Sequence, residues 1–124
     1  MNEIYFPPRE LAVMSILWRL GSASVSDVRD ALEEDLAYTS VLSALQTLEE
    51  KGYVRHKAEG RAYRYFPTVG ADRAGGSALA RIRDAIFHGS AERMFAQMVA
   101  DKRLGREELE QMRQLLDERL EEKK

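Results

Sequence analysis

The sequence predicts a mainly α-helical protein with one small β-hairpin, and three observations lead to this fold class. Three stretches with apolar residues at helical spacing fill most of the first 52 residues. A basic and aromatic segment, KGYVRHKAEGRAYRYFP, follows at residues 51–67 and contains a turn signal. Beyond it, apolar residues again repeat at helical spacing. We therefore expect an N-terminal domain, residues 1–70, and a helical C-terminal region, residues 71–124.

The composition is that of a small globular protein and limits its chemistry. The 124 residues include 19 lysines and arginines against 21 acids, so bulk charge does not favour nucleic-acid binding. A local basic patch is still effective, because screening acts over about 8 Å at physiological salt. The absence of cysteine excludes disulfides, thiolate metal sites and a cysteine nucleophile. We expect no cofactor and no metal, since two isolated histidines make a poor metal site.

The N-terminus and the apolar runs predict a cytoplasmic protein without membrane insertion. MNEIYFPPRE has neither the basic nor the apolar region of a signal peptide. The longest apolar run, LAVMSILW, is interrupted by Ser15 and is far too short to span a membrane.

The first helix has clear start and stop signals, and the second has a clear start signal. Two prolines precede RELAVMSILWRL and a glycine follows it, so we expect a helix from about Pro8 to Leu20. Ser24 and Asp27 have the spacing of a capping box, which predicts a second, short helix close behind the first.

The third helix is predicted from Tyr38 to Lys51, with Gly52 as its stop. Thr39 or Ser40 can cap its N-terminus. Its apolar residues cluster within about 100° on a helical wheel. They form the expected buried stripe: Val41, Ala44, Leu45 and Leu48.

The opposite face of the third helix is small and uncharged, which is unusual for a surface that faces solvent. Hydroxyl and amide side chains can form hydrogen bonds with base edges, and glutamine suits adenine in particular. An ordinary polar surface is the alternative. The candidate DNA contacts of this helix are Thr39, Ser40, Leu42, Ser43, Gln46 and Thr47.

The basic and aromatic segment is predicted as a β-hairpin with Glu59-Gly60 as its loop, because glycine supplies the positive φ of a tight turn. Val54 then pairs with Tyr65, and Arg55 pairs with Arg64 on the other face. A longer loop would change these pairs. Like charges directly opposite each other are unfavourable unless a negative group lies over them.

Helix, short helix, helix and basic hairpin, in that order, predict a winged helix-turn-helix domain. In this fold the third helix enters the major groove, and the hairpin, called the wing, lies along the backbone or minor groove. The wing cations would meet phosphates, while the aromatics anchor the wing to the helices. Protection of an exposed sheet edge is the alternative role of the cations. The candidate phosphate contacts are Arg55, Lys57, Arg61 and Arg64.

The composition changes after Val69. GADRAGGSALA is a candidate linker or a loose helix start. The apolar sets that follow have little core of their own in so short a region, so we expect them to pack against a second copy of the chain. The candidate dimerisation residues are Leu79, Ile82, Ile86, Met94, Phe95, Met98, Leu109, Met112, Leu115 and Leu116.

Three segments, PRELAVMSILWRLGSASVSDV, YTSVLSALQTLEEKG and GRAYRYFP, carry a family resemblance. From about Phe6 to Lys123 the chain resembles the penicillinase-repressor (BlaI/MecI/CopY) family of winged-helix transcriptional repressors. The resemblance implies a homodimer on a dyad operator. Members often carry Lys or Arg near the positions of Thr39 and Leu42, so we expect a different operator here. Copper-responsive members carry Cys-x-Cys pairs, so this cysteine-free chain cannot sense copper or zinc through thiolates.

The resemblance also bears on release from DNA. In the penicillinase branch it implies cleavage of an Asn-Phe bond, and the corresponding bond here is Gln97-Met98. A protease pocket shaped for Asn-Phe would fit this pair poorly. We expect a different inducer, and the sequence identifies neither an upstream sensor nor a protease.

Two classes of function remain: an operator-binding repressor, and a winged-helix protein-interaction module without specific DNA binding. No nucleophile-base pair, glycine-rich phosphate loop or carboxylate constellation in the sequence suggests an enzyme. Binding to duplex DNA that weakens steeply with salt separates the two classes.

Overall fold

The computed structural model describes residues 3–124 and confirms a mainly α-helical fold with a small antiparallel sheet. The first three helices and the sheet form the predicted winged helix-turn-helix domain. The chain divides into two compact units, one ending at Leu79 and the other spanning Ala80–Lys124. The elements are α1 (Pro8–Leu20), β1 (Ala23–Ser24), α2 (Val25–Ala31), α3 (Tyr38–Glu50), β2 (Val54–Glu59), β3 (Ala62–Pro67), α4 (Ala71–Ile86), α5 (Ala91–Val99) and α6 (Arg106–Glu122).

Local signals set both ends of α1 and the start of α2, as predicted. α1 begins after Pro7 and ends at Gly21, whose φ of +86° lies in the region that favours glycine. α2 begins with a capping box. The Ser24 hydroxyl accepts the Asp27 N–H at 3.1 Å, and the Asp27 carboxylate accepts the Ser24 N–H at 3.2 Å.

The side-chain cap predicted for α3 is wrong. The N-cap is Ala37, which has an extended backbone and makes no side-chain hydrogen bond. Its carbonyl accepts the backbone N–H groups of Ser40 and Val41 at 3.0 and 3.2 Å. Thr39 and Ser40 already belong to the helix, whereas an N-cap residue keeps a non-helical backbone. Their hydroxyls therefore do not cap α3.

One hydrophobic core joins the helices of the first unit to the sheet. All four residues of the predicted stripe on α3 are buried, and Leu45 and Leu48 are fully inaccessible. The Trp18 indole N–H donates to the Val69 carbonyl at 2.8 Å, and Ala74 of α4 is buried in the same core. The glycine-rich segment after the wing is therefore a helix start packed on the core, and the linker alternative is wrong.

The sheet has three strands in the order β1-β3-β2. Its hairpin loop is Gly60-Arg61, flanked by the pair Glu59 and Ala62, so the predicted loop is wrong. Gly60 has φ of +61° and takes the first of the two loop positions, which requires positive φ in both turn types that suit hairpins. β1 is not predicted, because two residues are too few to show alternation.

With Gly60-Arg61 as the loop, each residue of β2 pairs with a residue two positions further along β3 than predicted. Val54 pairs with Pro67 rather than Tyr65, and Arg55 pairs with Phe66 rather than Arg64. Because side chains alternate with a period of two, a two-residue shift leaves every side chain on its predicted face. The cations of the wing therefore share one face, although the pairing predicted for them is wrong.

The second unit contains the end of α4 with α5 and α6, and no residue of α5 or α6 is buried. The Ser90 hydroxyl caps α5 by accepting the Arg93 N–H at 3.1 Å. Within residues 3–124, no helix has the length and apolar character needed to cross a membrane.

Candidate nucleic-acid interface

The outward face of α3 carries hydroxyl and amide groups and no charge before Glu50 at its end. Thr39, Ser43 and Gln46 are exposed and recur every three or four residues, so they lie along one line of the helix surface. The other predicted contacts of this helix are half-buried: Ser40, Leu42 and Thr47. Leu42 packs partly against the core. Less of its side chain is therefore available to a partner than of the exposed side chains of Ser43 and Gln46.

The outer face of the wing carries three cations, Arg55, Lys57 and Arg64, and the aromatic ring of Phe66. The Arg55 guanidinium carbon lies 4.6 Å from the centroid of the Phe66 ring, and the Lys57 ammonium lies 5.9 Å from it. Both distances are within the range of cation–π attraction. The ring thus holds two long side chains near one spot while both residues remain exposed.

The two arginines that follow the loop glycine have different surroundings. Arg61, in the loop, is exposed and makes no ion pair with any described residue. Arg64 donates from Nε and Nη2 to the Glu59 carboxylate at 2.8 and 3.4 Å, and from Nη1 to the Ser22 hydroxyl at 3.2 Å. The hydrogen bond and the charge of Glu59 raise the pKa of Arg64, with a smaller contribution from Asp27, 3.8 Å away. Arg64, which is predicted to contact phosphate, is therefore already paired with a carboxylate that competes with phosphate.

A polar contact joins the wing to the end of α3. His56 Nδ1 lies 2.7 Å from both carboxylate oxygens of Glu49. The His56 ring also packs at 4.5 Å from Tyr63 and 5.6 Å from Tyr65, measured between centroids. Tyr65 is buried, and this burial raises the pKa of its hydroxyl. Tyr65 therefore anchors the wing to the core, as predicted, whereas Tyr63 is 50% exposed and Phe66 lies on the outer face, so the prediction does not hold for these two rings.

Sequence reasoning missed Glu49 and Glu59 as parts of this region. Glu49 contacts His56 on another element, and Glu59 contacts Arg64 across the hairpin. No spacing in the sequence predicts either contact. Among residues 3–124, no group of three or more histidine, aspartate or glutamate side chains is arranged to hold a metal ion.

The predicted dimerisation residues are mostly exposed in the single chain. Met94 and Met112 are half-buried. The remaining eight are exposed: Leu79, Ile82, Ile86, Phe95, Met98, Leu109, Leu115 and Leu116. This amount of exposed apolar side chain on three successive helices is unusual for a protein that works as a monomer.

Comparison with known proteins decides the family. Residues 6–118 match the family model described as Penicillinase repressor. The chain belongs to the penicillinase repressor family. The resemblance carried by its N-terminal and wing motifs is thereby confirmed.

Members of the penicillinase repressor family align with nearly the whole chain. The transcriptional regulator BlaI of Mycobacterium tuberculosis (strain CDC 1551 / Oshkosh) is 35% identical over 113 residues, which cover 88% of this chain and 80% of that protein. A penicillinase repressor of Bacillus licheniformis is 24% identical over 117 residues, covering 93% of this chain and 91% of that protein.

A solved structure supports the winged-helix fold. The solution structure of the DNA binding domain of the repressor BlaI matches with a TM-score of 0.52 and 24% identity. The match covers 58% of this chain and 90% of that domain. At this identity the likeness concerns the fold alone.

Proposed function

We propose that this chain is a DNA-binding transcriptional repressor that binds a pseudo-palindromic operator as a homodimer. The observation that carries the proposal is an outward face on α3 that has no charge before Glu50 at its end, beside a cationic wing in the same domain. Membership of the penicillinase repressor family supports the same function. The competing function is a winged-helix module that binds proteins and makes no specific contact with DNA.

The face of α3 is suited to reading base edges. Thr39, Ser43 and Gln46 offer hydroxyl and amide groups that both donate and accept hydrogen bonds. The core already uses the opposite face of the helix, so these side chains have no role in packing. Glutamine can form two hydrogen bonds with adenine in the major groove. We therefore assign sequence readout to α3, with Gln46 as its leading residue.

The wing is suited to phosphates rather than bases. Arg61 has no competing acid among the described residues, while Arg55 and Lys57 lie together over the Phe66 ring. Cations of this kind contact the DNA backbone without regard to sequence. We assign register and overall affinity to the wing.

The dimer is proposed from the C-terminal helices. α5 has nine residues, a length at which an isolated helix is marginal in water, and neither α5 nor α6 buries a residue in the single chain. A second copy offers the same apolar faces and a closed two-fold interface. We assign residues 71–124 to dimerisation and residues 1–70 to DNA binding, although Ala74 of α4 also contributes to the core of the first unit.

Selection of bound duplexes from a random pool, followed by titrations at several salt concentrations, tests the proposed function. A repressor should enrich a pseudo-palindrome whose half-site centres are about 10 bp or a multiple apart. Its log affinity should fall linearly with log salt. A protein-interaction module would enrich no sequence and show no salt-dependent binding, which would exclude the repressor.

Replacing Gln46 by alanine should change sequence preference more than overall affinity. Loss of a good base contact costs about 1–3 kcal/mol on the preferred operator and nothing on random duplex. Fluorescence anisotropy on both duplexes measures the difference. Gln111→Ala, at an exposed position of α6, is the matched control and should change neither. Equal losses on operator and random duplex would remove Gln46 from the readout.

Replacing Arg61 by alanine should weaken binding to all sequences by the same factor. One lost phosphate contact should reduce the slope of log affinity against log salt by about 0.9. The control is Arg93→Ala, which removes an exposed arginine of α5. An unchanged slope together with altered sequence preference would contradict the assignment of Arg61 to the backbone.

A further inference from the structure

Arg64 is the one cation on the outer face of the wing whose hydrogen-bonding edge is already occupied within the described chain. Its Nε and Nη2 both donate to Glu59, its Nη1 donates to Ser22, and Asp27 lies 3.8 Å from Nη2. Arginine binds phosphate best through two parallel N–H groups, which is the arrangement that Glu59 now accepts. A phosphate can therefore reach Arg64 with this geometry only by displacing Glu59.

Glu59 is well placed to compete and to be displaced. It ends β2 and precedes the loop, on the same face as Lys57 and Arg64, and its side chain is 60% exposed. An exposed ion pair of this kind contributes little to folding stability. Asp27 is different, because its carboxylate also accepts the Ser24 N–H in the capping box of α2. The contacts with Ser22 and Asp27 can keep the Arg64 side chain in place when Glu59 leaves.

We propose that Glu59 is an internal competitor of DNA phosphate at Arg64, and that it lowers the sequence-independent part of the affinity for duplex DNA. The inference rests on the proposed function and assigns a role to an acidic residue of the wing. Lys57 and Arg61 contact phosphate freely, whereas Arg64 contributes only when phosphate displaces Glu59. The wing therefore makes fewer contacts with DNA phosphates than its number of cations indicates. Discrimination between DNA sequences then depends more on α3.

The test is Glu59→Gln in the full chain, because glutamine keeps an acceptor for Arg64 and removes only the charge. Affinity should rise about two- to fivefold on operator and random duplex alike, as for an exposed charge pair. The slope of log affinity against log salt should steepen by about 0.9, as for one added phosphate contact. Glu59→Ala provides a second variant and should behave in the same way.

Two comparisons isolate the competition. Glu107→Gln removes the same charge from an exposed position in the first turn of α6 and should leave the slope unchanged. In an Arg64→Ala background, Glu59→Gln should no longer steepen the slope. If Glu59→Gln equals Glu107→Gln, or if its effect persists without Arg64, the competition is refuted while the repressor stands. If the unaltered chain shows no salt-dependent duplex binding, the proposed function fails first.

Discussion

Replacing Phe95 and Leu116 together by glutamine should convert the proposed dimer to a monomer and weaken operator binding by about 10²–10⁴-fold. Phe95 on α5 and Leu116 on α6 are 42% and 47% exposed in the single chain. Neither helix buries any residue there, so their apolar side chains have no other means of leaving water. Glutamine is polar and uncharged, which disfavours the apolar contact without altering attraction to DNA.

The size of the loss follows from linkage between two half-sites. In a dimer, binding of one domain holds the second at a high effective concentration near its own half-site. A monomer binds each half-site separately and loses this gain, although every contact in its own groove is kept. Binding to a single half-site should accordingly change much less than binding to the complete operator.

Sedimentation equilibrium and operator titrations measure the two effects on the same samples. The control is Leu11→Gln with Leu20→Gln, which alters two residues of α1 that are 46% and 50% exposed. That variant should remain dimeric and bind as the unaltered chain does. A monomeric tail variant that binds the operator with full affinity would contradict the proposed role of the dimer.

The first three helices could be predicted because most of their signals are local. Capping of α2 depends on Ser24 and Asp27, three residues apart, and the end of α1 depends on one glycine. The buried stripe of α3 follows from helical spacing alone, since one face must meet the core. Such features need no knowledge of what lies across the fold.

The hairpin pairing and the contacts of Arg64 could not be predicted in the same way. Glycine marks a tight turn, but the sequence does not say whether Gly60 is the first or the second loop residue. The contact between Arg64 and Ser22 joins residues 42 positions apart, and no local pattern encodes it. The faces of the wing were nevertheless predicted correctly, because a two-residue shift preserves alternation.

The start of α4 shows how packing overrides composition. Gly75 and Gly76 disfavour a helix by about 1 kcal/mol each relative to alanine, which is why this segment resembles a linker. The helix forms nonetheless, and Ala74 contributes its side chain to the core of the first unit. Burial of Ala74 offsets part of the cost of the two glycines.

Replacing Leu45 by alanine should lower the free energy of unfolding by about 2–5 kcal/mol. Leu45 is fully inaccessible and lies in the core on the inner face of α3. Its truncation removes apolar contacts and leaves a cavity that the neighbouring side chains fill only in part. Urea denaturation at a fixed chain concentration measures the loss, because the stability of a dimer depends on concentration.

Leu42→Ala provides the matched comparison on the same helix. Leu42 is half-buried and only partly packed on the core, so its truncation should cost less stability than that of Leu45. Its exposed part lies beside the outward face of α3, where an apolar side chain can contact the methyl group of thymine. We therefore expect Leu42→Ala to change sequence preference, while the folded fraction of Leu45→Ala retains the original preference. A Leu45→Ala protein of unchanged stability, or one with altered preference, would contradict the division of α3 into an inner packing face and an outer reading face.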